Sequence, residues 1–125
     1  MEYLDFRSGS HSFRGCLDTD TYLFGGGIAI ELYIQGDDGP EPFAGLTVNL
    51  ADHPAEGNSA YVDVNNFPEA EKLITDYGLG EPTGRYGFSG FCRYPEYRFH
   101  PEAIGRYRLP SAPEPEAAVK SSEGR

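Results

Sequence analysis

The chain has 125 residues, enough for one domain, with 38% apolar residues and a formal net charge of −10. Nine Tyr and eight Phe are too many rings for a disordered chain, and no run approaches the roughly 18 apolar residues that span a bilayer. Acidity on this scale opposes nucleic acid and anionic membranes as direct partners and favours a basic protein.

At the start, Met1–Arg14 carries Glu2 and Asp5 and lacks the apolar core of a secretory signal, so the expected location is cytoplasmic. Cys16 and Cys92 are then expected as reduced thiols. Residues 28–35, IAIELYIQ, alternate with the period of a half-buried strand: Ile28, Ile30, Leu32 and Ile34 on one face, Glu31 on the other. GDDGPEP at 36–42 reads as a turn, and LTVNL at 46–50 as a second strand, with Leu46, Val48 and Leu50 inward. The two runs read as a hairpin. After the loop 52–59, AYVDVN at 60–65 reads as a third strand, with Tyr61, Asp63 and Asn65 on its polar face.

Residues 66–79, NFPEAEKLITDYGL, predict the principal helix, about 66–78. Asn66 is a suitable N-cap, Pro68 falls in the first turn, and Gly78 is a suitable C′ residue. Ala70, Leu73, Ile74 and Tyr77 make the apolar stripe. Residues 80–90 are punctuated by glycines, and FSGFCRYPEYRF at 88–99 crowds five rings around Arg93 and Arg98. Pro95 implies an edge or a bend there. The rings are expected to build the interior and the guanidinium groups to neutralise nearby acids. PEAIGRYRL at 101–109 fits a helical turn or a last strand. From Pro110 the Pro, Ser and Glu content predicts a disordered tail, 110–125.

The charge is uneven. Residues 1–80 hold 14 Asp and Glu against Arg7, Arg14 and Lys72, net −11, whereas residues 81–109 hold three Glu against five Arg, net +2. No HxH, HExxH or CxxC occurs, GDDG lacks the ligand spacing of a calcium loop, and GGG at 25–27 precedes a strand rather than a helix. No metal or cofactor is therefore expected. Cys92 beside Arg93 raises the alternative of a cysteine enzyme, with His100 as a candidate base. Tyr86, Arg93, Tyr94 and Arg98, within the 85–99 stretch, raise that of a single-stranded nucleic-acid binder.

LTVNLADHP and YVDVNNFPEAEKLITDYGLGEPTGRYGFSGFCRYPEYRF resemble the core of the domain-of-unknown-function family DUF4313, over roughly residues 28–105. Val64, Asn65, Asn66 and Pro68 and the stretch 78–99 carry the resemblance most densely. That family's members occur on conjugative and integrative elements of Gram-positive and gut bacteria. The resemblance implies an accessory protein of a mobile element, and by analogy an anti-CRISPR or anti-restriction inhibitor that imitates DNA.

The expected fold is α+β, a mainly antiparallel sheet of four to six strands with one principal helix, in a single domain over 1–109. The expected function is that of a non-enzymatic binding protein. Its partner would be a basic protein, a nuclease or CRISPR effector, held by Glu31, Asp37, Asp38, Glu41, Asp52, Glu56 and Asp63. The oligomeric state does not follow from the sequence.

Overall fold

The computed structural model describes residues 2–21, 27–50 and 52–109. The tail expected at 110–125 and most of the GGG run lie outside the described residues. The fold is α+β and mainly antiparallel, with the strands divided into two sheets of four. The first is a meander of β1 (Leu4–Ser8), β2 (His11–Thr21), β3 (Ile28–Gly36) and β4 (Gly39–Gly45). The second contains β5 (Thr47–Val48), β6 (Ser59–Val62), β7 (Gly80–Ser89) and β8 (Cys92–Phe99), in the order β5-β6-β8-β7. The helices are α1 (Ala70–Asp76) and α2 (Pro101–Arg106).

The main core draws on both sheets and both helices. Leu4, Leu17, Ile30 and Leu32 from the first sheet meet Ala60, Val62, Tyr97 and Phe99 from the second. Ala70, Leu73 and Ile74 of α1 and Ala103 and Ile104 of α2 complete it. A smaller cluster, Leu50, Ala55, Tyr61 and Tyr94, packs the loop before β6 against the second sheet.

The inward phase expected for β3 holds at Ile30 and Leu32. Its hairpin partner does not: Asp37 and Asp38 form the turn, and β3 pairs with β4, which the sequence reading treats as turn. β4 is an edge strand, where Pro40 and Pro42 cost no ladder bonds on the free side. Residues 46–50 instead yield the two-residue β5, which starts the second sheet. Thr47, expected outward, is buried and accepts the Ile30 N–H at 3.0 Å. Tyr61, expected on a polar face, is buried in the smaller cluster.

The helix is shorter than predicted. The residue before a proline is driven out of the helical region, so Phe67 cannot join and α1 begins at Ala70. Asn66 does not cap it; its side-chain amide donates to Asp63 at 3.1 Å. The C-terminus is as expected. Gly78 has φ +62°, the Leu79 N–H reaches Ile74 O at 2.9 Å and the Gly78 N–H reaches Thr75 O at 3.2 Å, the paired bonds of a Schellman end.

The glycine-punctuated 80–89 forms the long strand β7, bulged between Pro82 and Tyr86. β8 runs through Pro95 between two neighbours; its pairing with β6 stops at Glu96, so the missing N–H falls beyond that ladder. Of the five rings at 88–99, Tyr94, Tyr97 and Phe99 are interior, while Phe88 and Phe91 are exposed.

Candidate functional site

β2 and β3 pair without a register break, so their residues sort cleanly onto two faces. Leu17, Ile30 and Leu32 point to the core. The opposite face carries Asp18, Asp20, Glu31 and Tyr33. Asp18 lies directly opposite Glu31, and Asp20 opposite Ala29. These residues line a shallow hollow of about 400 Å³. Directly opposed side chains on antiparallel strands have Cβ atoms about 5 Å apart, so two carboxylates there repel.

The Asp18 carboxylate accepts the Thr19 N–H at 3.1 Å, and no ion pair among the described residues reaches Asp18 or Glu31. Arg14, on the same face of β2, is taken by Asp5 at 2.9 Å. The hydrogen bond from Arg14 holds the Asp5 carboxyl below its ordinary value. Cys16, between Arg14 and Asp18 in sequence, is buried; burial, then Asp18, pushes its thiol up, which disfavours the reactive thiolate.

The seven carboxylates expected at the site fall in four places. Glu31 lies on the acidic face with Asp18 and Asp20. Asp37, Asp38 and Glu41 surround a second hollow at the β3–β4 turn. Asp52 and Glu56 line a third, of about 390 Å³, with His53, Tyr61, Arg85 and Tyr86. Asp63 is buried at 9% exposure and accepts hydrogen bonds from the Asn66 backbone and side chain, so it stabilises the turn before α1.

Beside the third hollow lies a carboxylate that the sequence did not single out. Glu96 on β8 is only 1% exposed. Its Oε1 accepts from Thr83 Oγ1 at 2.6 Å and from Arg85 Nε at 2.8 Å, with Arg85 Nη2 also 2.8 Å away. The bulge in β7 places Thr83 and Arg85 over it. A buried charge is tolerated when it is paired and hydrogen-bonded in this way.

Cys92 and His100 do not form a thiol–imidazole couple. Cys92 opens β8 and His100 follows its end, about 26 Å apart at the usual strand rise. Cys92 packs against the smaller cluster, where burial, then a hydrogen bond with Cys92, pushes the Tyr94 hydroxyl up. Of the four residues of the nucleic-acid alternative, Tyr94 is buried, and Arg93 stacks over the Tyr86 ring at 4.5 Å.

The sequence pattern of a family described as a domain of unknown function, DUF4313, matches residues 16–111. The chain belongs to the DUF4313 family. Comparison with curated proteins and with solved structures finds no match. In this DUF4313 chain the matched span includes Asp18, Asp20, Glu31 and the whole β7–β8 hairpin, while β1 lies outside it.

Asp18 and Asp20 escaped the sequence reading although CLDTDT alternates as plainly as IAIELYIQ. Leu17 and Thr19 point one way, and Cys16, Asp18 and Asp20 the other. That period-2 signal could have found them. Nothing comparable marks Glu96, whose burial depends on the β7 bulge and its register.

Proposed function

We propose that this DUF4313 domain is a non-enzymatic binding protein that lays the acidic outer face of its first sheet against a basic partner. The observation that carries this reading is the direct opposition of Asp18 and Glu31 with no ion pair among the described residues to offset it. Like charges so placed weaken a sheet by about 0.2–1 kcal/mol. A local conflict of this kind is expected at a working surface, where a partner's cations relieve it.

The class of partner that fits is a protein with a basic nucleic-acid-binding groove. Duplex DNA presents one charge per roughly 1.7 Å of axis, and a cluster of carboxylates on a rigid sheet can occupy part of such a groove. In a mobile-element setting, that partner would be a restriction nuclease or CRISPR effector.

The test uses the full chain as bait in a lysate, followed by titration of the captured partner. The expected partner is basic, leaves as salt rises, and is displaced by duplex oligonucleotide. The double variant D18N/E31Q is expected to bind more weakly while melting at a higher temperature, because the repulsion is gone. Salt-independent capture, or equal binding by the double variant, overturns the reading.

A further inference from the structure

We infer that the free edge of β7 at Tyr86–Ser89 is a second docking site, at which an extended partner segment alternating basic and apolar residues adds a strand. This does not rest on the acidic face of the first sheet. β7 is an outer strand of its sheet, and among the described residues it pairs only with β8. Such edges are normally protected by proline, charge or a bulge. The first half of β7 has all three, in Pro82, Glu81, Arg85 and the irregularity between Pro82 and Tyr86. The second half, Tyr86, Gly87, Phe88 and Ser89, pairs regularly with Pro95 through Cys92 and has none of them.

That same segment displays rings. Tyr86 is 46% exposed, Phe88 53%, and Phe91 at the hairpin tip 107%, three of the four exposed large apolar side chains among the described residues. Two of the three are held in place: Arg93 lies over Tyr86 at 4.5 Å, and His53 meets the Phe88 ring edge-on at 6.0 Å. Anchored aromatic side chains beside an unpaired strand are what strand addition uses, the backbone supplying hydrogen bonds and the rings supplying side-chain contacts.

The charge beside the edge selects the partner. Arg85 and Tyr86 line the hollow shared with Asp52, Glu56 and His53. Arg85 is committed to Glu96, and no ion pair among the described residues reaches Asp52 or Glu56. Against these two carboxylates stands one cation without an ion pair among the described residues, Arg93 over the Tyr86 ring, so the balance beside the edge is negative and the hollow suits a Lys or Arg side chain. It repels phosphates, which disfavours a nucleic acid strand. A second copy is disfavoured too, since self-pairing brings together two bodies of net charge −10.

The experiment follows amide hydrogen exchange of the full chain with three probes: an acetylated Lys-Val-Lys-Val-Lys-Val peptide, its Glu-Val counterpart, and oligothymidylate. The Lys-Val peptide is expected to slow exchange within 86–89, and the other two to leave it unchanged. Phe88→Lys, at a position 53% exposed, is expected to weaken binding about tenfold. The double change Asp52→Asn and Glu56→Gln is expected to weaken it in a salt-dependent way. Protection by the Lys-Val peptide within 86–89 is read separately from any protection within 28–36, which separates the edge from the first sheet's face. No protection at 86–89 by the Lys-Val peptide, equal protection by oligothymidylate or the Glu-Val peptide, or undiminished binding by Phe88→Lys overturns the inference.

Discussion

Gly87 shows how closely the smaller cluster is built. A Cβ there would lie 2.5 Å from Leu50 Cδ1 and 2.9 Å from Tyr61 Cε1. Gly87→Ala is therefore expected to destabilise the domain by about 1–3 kcal/mol through overpacking, read as a lower urea midpoint with an unchanged slope. The sequence shows glycine at 87 but not why, because the crowding comes from the loop before β6 folding onto the sheet. Glu96 is the same lesson in polar form. A Glu in CRYPEYRF reads as a surface residue until the β7 bulge sets Thr83 and Arg85 over it. By contrast, Leu32, Ile74 and Gly78 were legible, since period, stripe and helix end are local properties.

At the scale of elements, α1 is tied to both sheets by tyrosines. The Tyr77 hydroxyl accepts the Asp5 N–H at 2.7 Å and donates to Asp5 O at 3.0 Å, so the helix takes up the edge of β1. Tyr97 on β8 donates to Glu71 at 2.6 Å. Burial, then that hydrogen bond, pushes the Tyr97 hydroxyl well above its ordinary 10.0. The folded chain thus keeps a proton that the unfolded chain releases near pH 10. This contribution is full below that pH and is lost as pH rises beyond it. Urea midpoints are expected to fall steeply in that alkaline window for the native chain and less steeply for Tyr97→Phe; equal slopes would show that the bond carries no stability. Tyr61 and Tyr94, raised mainly by burial, leave a residual slope. The helix was legible in Ala70, Leu73 and Ile74 but not in its start, where Pro68 acts on Phe67 before Asn66 can cap. β4 was hidden because prolines and glycines are tolerated on a free edge.

For the whole molecule, the candidate site needed register, not composition. That Asp18 and Glu31 are acidic is plain; that they face each other follows only from the pairing of β2 with β3. The division into two sheets was likewise out of reach of local pattern, because it turns on the short passage from Gly45 into β5. In that passage Leu46 donates its N–H to Ile30 O at 2.9 Å, and its carbonyl accepts the Asp63 N–H at 3.0 Å. One residue's peptide groups thus rivet β3 to the chain leaving β6. Neither layer can peel away while that rivet holds, so the protein should breathe as a unit rather than leaf by leaf. The amides of Leu46 and Asp63 are expected to exchange with deuterium at one common rate, equal to that of the slowest core amides. A faster Asp63 would mean that the second layer comes loose alone. If the rivet holds, force applied anywhere on the hairpin is carried to the acidic face instead of being absorbed at a hinge.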